Sequence, residues 1–203
     1  MCGNFSILRS AEEIEKRFKA KIDSSLFKQE IKTAPSQNLP VVTNTEPGIV
    51  NFYRWGLIPS WSKDIKFGNI LFNARAETIL EKQSFRNSFK SKRCLVIADG
   101  FYEWVDQEGH KKPYKFSLHN HELFAFAGLW DKWSDISGNI IYSFTIITTE
   151  PNEIVSKYHD RMPVILRKET EALWLDNSAE ERNIIKLLKP YNSEQIIVEE
   201  FKF

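Results

Sequence analysis

The chain has 203 residues, 42% of them hydrophobic and 27% charged, enough apolar material to bury a sizeable core as one domain over 1–203. Its two cysteines fit no metal-ligand spacing and no disulfide framework, and no basic segment leads into an apolar stretch as an export signal would, which points to a reduced, cytoplasmic protein. No apolar run approaches the ~20 residues that span a bilayer, and the net charge of +1 conceals a polarised chain in which residues 51–93 carry +6 and residues 94–203 carry −6.

The chain opens Met1-Cys2-Gly3. A residue as small as cysteine at position 2 allows the initiator methionine to be trimmed, which leaves Cys2 with an α-amine and a thiol on adjacent carbons, of pKa about 7.7–8.0 and about 8.5. Such an aminothiol has two uses. The amine can act as base for its own thiol in amide cleavage, or both groups can condense with an aldehyde, first to an imine and then to a five-membered thiazolidine. Residue type alone leaves open an incidental Cys2.

Ser10-Ala11-Glu12-Glu13 predicts a capped helix start, with Ala11, Ile14 and Phe18 as its apolar stripe. Short runs bounded by Gly, Pro, Asn and Asp then predict strands at 39–43, 48–55, 94–98, 100–105, 113–118, 122–128, 140–148 and 163–166. Residues 107–110 and 134–139 look like hairpin connections, and 60–69 is the longest stretch without periodicity, the kind of loop that carries binding groups. A second capping pattern, Ser178-Ala179-Glu180-Glu181, precedes Ile184, Ile185, Leu187 and Leu188, with Pro190 as the stop. The spacing suits an α+β arrangement, a β-rich curled sheet or partial barrel with a few peripheral helices.

The basic segment 51–93 also holds Tyr53, Trp55, Trp61, Phe67 and Phe72. Positive charge interleaved with aromatics suits a phosphate backbone with unpaired bases, and equally an ordinary solvated face over core aromatics. In Phe101-Tyr102-Glu103-Trp104-Val105, strand alternation puts Glu103 on the face of Phe101 and Val105, a setting that raises a carboxyl pKa toward the general-acid range; the alternative is a partly buried glutamate paired with arginine. His159 has a pKa suited to neutral-pH proton transfer, though a lone histidine is often structural. Asn73 and Arg75, two apart in an extended segment, share a face and combine an amide that can orient an amine with a guanidinium for phosphate.

Together these features resemble one family. Met1-Cys2-Gly3-Asn4-Phe5, Ala34-Pro35-Ser36, Arg54-Trp55-Gly56-Leu57-Ile58-Pro59-Ser60-Trp61, Asn73-Ala74-Arg75-Ala76-Glu77-Thr78, Arg93-Cys94-Leu95, Asp99-Gly100-Phe101-Tyr102-Glu103-Trp104, Ala127-Gly128-Leu129-Trp130 and His159-Asp160-Arg161-Met162-Pro163 stand in the order and rough spacing of the SOS-response-associated peptidases, over about residues 1–190. The resemblance implies a sensor of abasic sites in single-stranded DNA that crosslinks to the ring-opened sugar aldehyde through Cys2, shielding the lesion; no cofactor or metal is expected, and a monomer is expected. It implies a cytoplasmic location, nucleoid-associated when bound to DNA, with no membrane partner, and a possible autocatalytic peptidase activity ahead of Cys2. By position it makes Cys2 the nucleophile, Asn73 its positioning partner, Glu103 and His159 the proton-transfer groups, and Arg75 and Arg161 phosphate contacts, with Pro35 and Trp61 along the strand's path. Two departures stand out. The family commonly has arginine where this chain has Asn4, a contact that Arg54 or Lys63 could supply, and related chains continue past the segment that here ends after Ile196-Ile197-Val198-Glu199-Glu200.

Two other classes compete. An N-terminal-nucleophile amidohydrolase would also begin Met-Cys-Gly, but it needs a glutamine-binding arginine and an oxyanion-hole Asn-Gly, and the chain has no Asn-Gly dipeptide. A non-covalent single-strand binder would leave Cys2 replaceable without loss.

Overall fold

The computed structural model describes residues 2–202; Met1, whose removal the sequence predicts, and Phe203 lie outside them. In chain order the elements are β1 (Phe5–Ser6), α1 (Ala11–Phe18), β2 (Lys21–Ile22), β3 (Asn38–Thr43), β4 (Ile49–Trp55), β5 (Asn73–Arg75), α2 (Gln83–Ser91), β6 (Arg93–Ala98), β7 (Gly100–Gln107), β8 (His110–Leu118), β9 (Phe124–Ser134), β10 (Ile140–Thr149), β11 (Met162–Pro163), β12 (Ile165–Leu166), α3 (Glu171–Leu175), α4 (Glu181–Ile185) and β13 (Ile196–Glu200).

Five of these strands close on themselves. The order runs β10-β4-β3-β6-β9, and β9 pairs back with β10, so every edge of this barrel-like sheet is satisfied. All pairings are antiparallel except β4 with β10. β6 is buried at all six positions because one face lines the barrel interior while α2 and α3 pack on the strand from outside. β5 and β11 extend the sheet along β10, and β12 pairs with β9.

A second sheet, β1-β7-β8-β13, lies against the barrel. Phe5 meets Phe126 edge-on at 5.6 Å and Trp55 at 5.0 Å, and Phe101 stacks on Phe116 at 4.8 Å, so the aromatic cores of the two sheets are continuous. The expected 107–110 hairpin turns through Glu108 (φ 55°) and Gly109 (φ 81°), the left-handed pair that matches strand twist in a two-residue connection. Ile196–Glu200 forms an edge strand in register with β8, Ile196 opposite Leu118 through Glu200 opposite Tyr114.

The first capping box forms as expected, with the Glu13 N–H on the Ser10 hydroxyl at 3.3 Å and the Ser10 N–H on the Glu13 carboxylate at 2.8 Å. The second does not. Ser178 donates instead to Asp176 at 2.7 Å, a local turn that competes with capping, and the helix starts late, at Glu181, with no side-chain cap. The sequence pattern does not announce α2, whose only strong signal is Phe85 and Phe89 four apart in an otherwise polar stretch.

The charge pattern is also corrected. Arg93 is buried and donates to the carbonyls of Phe89, Lys90, Trp174 and Asp176, which ends α2 and α3, and Lys92 pairs with Asp131 at 2.5 Å. Tyr53 and Trp55 are core residues. The +6 of segment 51–93 is therefore not one exposed stripe, because part of it caps helices.

Candidate functional site

The site forms in the seam where the second sheet meets the barrel. β1 lies antiparallel to β7 with Phe5 opposite Phe101, and the Tyr102 N–H donates to Asn4 O at 3.0 Å, so the residues ahead of β1 run back along Glu103. Cys2 is thereby fully buried, although it stands near the start of the chain. Burial pushes its thiol pKa far up, and the nearby Glu103 charge raises it further, so the thiol stays protonated until a base takes the proton.

Asn73 comes from the other sheet, in register with Ile146 of β10. Its Nδ2 donates to Cys2 O at 2.9 Å, while its Oδ1 is buried without a hydrogen-bond partner among the described residues. Glu103, 4% exposed, has its pKa pushed up by desolvation to about 7. His159 Nε2 lies 3.9 Å from Glu103 Oε2. Tyr158 holds that segment in place, packing on Tyr114 at 4.7 Å and on Phe116 at 5.3 Å, both from β8 beside Glu103. Burial pushes the His159 pKa down, which favours neutral imidazole at pH 7. The four residues read from the sequence as reacting groups thus form one connected chain: Asn73 to Cys2, Cys2 beside Glu103, Glu103 facing His159.

The residues placed along a strand's path divide into two kinds. Arg75 and Trp61 are exposed, Trp61 by 44%, with Lys63 and Lys66 exposed in the same loop. Arg54 and Arg161 are engaged internally. Arg54 donates to Ser36 Oγ at 2.8 Å, Asn69 Oδ1 at 2.9 Å and Gly56 O at 3.3 Å, tying the half-buried Pro35 segment to the Trp61 loop. That loop is pinned at its base, because Gly56 (φ 121°) runs so close to Gly68 that a Cβ would fall 1.9 Å from Gly68 O. Asp131 accepts from Ser60 N at 2.8 Å and Trp133 Nε1 donates to Ser62 O at 2.7 Å. Arg161, its side chain 13% exposed, forms a two-pronged pair with Glu77 at 2.7 and 2.9 Å and donates to Thr148 O at 2.8 Å.

Asn4, which stands where arginine was expected, donates to Thr33 O at 2.6 Å, and the Thr33 hydroxyl accepts from Phe5 N at 3.1 Å. Its role in this structure is to stitch the Ala34-Pro35 segment to the chain start. Two participants, Glu77 and Thr33, are not evident from the sequence. Glu77 stands two residues beyond Arg75 in a motif already singled out, while nothing in the local pattern around Thr33 signals its contact. Among the described residues no three His, Cys, Asp or Glu side chains converge on a metal-sized site, and no helix is long and apolar enough to cross a membrane.

Residues 1–202 match the SOS response associated peptidase (SRAP) family. The abasic site processing protein YoqW of Bacillus subtilis is 42% identical over 203 residues, covering 97% of this chain and 90% of that protein. The abasic site processing protein HMCES of Xenopus tropicalis is 31% identical over 201 residues, covering 83% of this chain and 60% of that protein. Among solved structures, a protein from Bacteroides thetaiotaomicron superposes with a TM-score of 0.93 at 30% identity, covering 99% of this chain and 92% of that one.

Proposed function

The chain belongs to the SOS response associated peptidase family, and from that premise we propose that it captures abasic sites in single-stranded DNA by covalent bonding of Cys2 to the ring-opened sugar aldehyde. The observation that carries this reading is the placement of the buried Cys2, an aminothiol once Met1 is removed, beside the buried Glu103 carboxyl, whose pKa desolvation pushes up to about 7. Met1 must be removed first, since its peptide bond would hold the Cys2 nitrogen as a non-nucleophilic amide.

The Cys2 amine adds to the aldehyde carbon and gives a carbinolamine. Loss of its hydroxyl as water needs a proton, which the neutral Glu103 carboxyl supplies, leaving an iminium ion. The Cys2 sulfur then attacks the iminium carbon while its proton passes to the Glu103 carboxylate, which closes the ring with a neutral N–H and restores the neutral carboxyl. One water is lost in all. A carboxyl half-protonated near pH 7 can serve as acid and then as base, whereas an ordinary glutamate would already be ionised. Asn73 Nδ2 holds the Cys2 carbonyl, and its Oδ1, unpartnered among the described residues, is the acceptor for the liberated amine. His159 passes protons between Glu103 and solvent.

Around this centre, Arg75 contacts backbone phosphate, and Pro35 and Trp61 line the strand's path, with Arg54 and Asn4 holding those two segments in place. The protein acts as a monomer on the strand, in the cytoplasm. Arg75→Ala is expected to weaken binding to intact single strands without sequence preference and to flatten the salt dependence by about 0.7 in log–log slope, the share of one phosphate on a single strand. Affinity measured against salt checks it, and an unchanged slope would leave Arg75 without a phosphate.

The direct test is intact mass spectrometry of the protein mixed with two oligonucleotides that differ only at one site, abasic in one and a normal base in the other. A heat-stable product equal to protein without Met1 plus DNA minus one water is expected for the abasic strand alone. Equal yields from both strands, or none from either, would overturn the reading.

A further inference from the structure

His159 Nδ1 has two competing neighbours that require opposite protonation. The Arg161 backbone N–H donates to it at 2.9 Å, which needs the nitrogen's lone pair, while Asp160 Oδ1 stands 2.8 Å away and could bind only an Nδ1–H. A neutral imidazole can satisfy one of them. With the Arg161 bond in place the ring proton sits on Nε2, the nitrogen that faces Glu103; with the Asp160 bond it moves to Nδ1 and Nε2 can only accept.

The segment is anchored on one side by Tyr158 and on the other by Met162, paired with Thr149 of β10, and between them the Arg161 side chain adds a clamp on its own backbone. The guanidinium is clamped by both Glu77 oxygens and by Thr148 O, and its Nε is buried without a hydrogen-bond partner among the described residues, so the clamp depends on the two terminal nitrogens. Glu77 follows Asn73 and Arg75 on the same stretch, and Thr148 lies in β10 directly opposite Arg75. Asp160, by contrast, has 86% of its side chain in water, where its pull on the ring is screened.

We propose that Glu77 is a positioning residue: its pair with Arg161 fixes residues 159–161 so that the Arg161 N–H selects the Nε2–H tautomer of His159, aimed at Glu103. The effect on crosslinking rests on the function proposed above; the tautomer does not. Arg161 thereby acts first as a brace for His159. A phosphate drawing Arg161 off Glu77 would loosen the ring that the reaction needs.

The test uses the full-length protein labelled with nitrogen-15, in which the imidazole resonances distinguish the two neutral tautomers. Wild type is expected to show His159 as Nε2–H at neutral pH. Glu77→Gln and Arg161→Lys, each unable to keep the two-pronged charged pair, are expected to populate Nδ1–H. Both variants should crosslink roughly 10- to 100-fold more slowly at saturating abasic strand, the scale on which orienting partners act. Affinity for intact single strands should hold or rise in Glu77→Gln, because an anion beside Arg75 has gone. A fold that was merely loosened would change neither the tautomer nor the affinity in these directions.

Retention of Nε2–H in both variants would overturn the proposal. A tautomer change at wild-type rate would do the same, as would loss of affinity in step with rate. Failure of wild type to form any adduct would strike the proposed function instead and leave the tautomer measurement standing.

Discussion

Cys2→Ala is expected to form no heat-stable adduct with a single-stranded oligonucleotide carrying one abasic site, while its affinity for the intact strand stays at the wild-type level. The α-amine survives in this variant, so an imine can still form, but without sulfur no thiazolidine closes and the imine hydrolyses. Cys2→Ser tests the ring more finely. Oxygen is the poorer ring-closing nucleophile, so a labile product at most should be seen, trapped only with a reductant. The thiol is fully buried, but alanine removes only one atom, and the β1–β7 register rests on backbone bonds and on Phe5, which packs against Trp55. The fold should therefore persist and isolate the chemical role. Intact mass after heating reads the result; adduct formation by Cys2→Ala at the wild-type level without reductant would end the proposal for Cys2.

Glu103→Gln is expected to lower the crosslinking rate by about 10²- to 10⁴-fold, the usual contribution of a general acid or base, at unchanged affinity for intact strands. It should also stabilise the protein, and the pH dependence gives the sign. The folded-state pKa of about 7 lies above the ordinary 4.5, so the folded protein binds more protons than the unfolded chain between those values. Stability attributable to this group therefore falls as pH rises from 4.5 through 7, and above that range the buried charge costs roughly 3 kcal/mol. Glutamine carries no such charge. The variant should melt higher than wild type at pH 8, and the difference should vanish at pH 4. A loss of rate together with a gain of stability would mark a group kept for chemistry at the expense of the fold. Wild-type rate in Glu103→Gln would reduce Glu103 to a packing residue.

Much of the architecture is determined by local pattern. The eight expected strand regions all contain strand, and the β7–β8 turn is signalled by Gly109, which takes positive φ without strain, while Glu108 is drawn into the same region beside it. Ser10 and Glu13 cap α1 because both partners lie within one turn of each other. The candidate reacting residues are legible for a similar reason: Cys2, Asn73, Glu103 and His159 each stand in a short motif whose neighbours narrow the chemistry. Where a local competitor exists, pattern fails, as at Ser178, whose hydroxyl turns to Asp176 and leaves the α4 start uncapped.

The tertiary structure alone decided how those residues use their groups. Charge counted along residues 51–93 does not reveal that Arg93 is spent on four backbone carbonyls, or that Arg54 ties two loops together, since their partners lie as far as 83 residues away in the chain. Arg161 reads as a free cation in sequence, yet Glu77, 84 residues earlier, holds it. Burial has the same origin. Cys2 and Glu103 acquire shifted pKa values only because two sheets close over them, and desolvation depends on the whole surrounding shell. Sequence determines which groups are present and their local spacing; their charge state and partners belong to the packed molecule, because electrostatics acts through space and through the dielectric that folding creates.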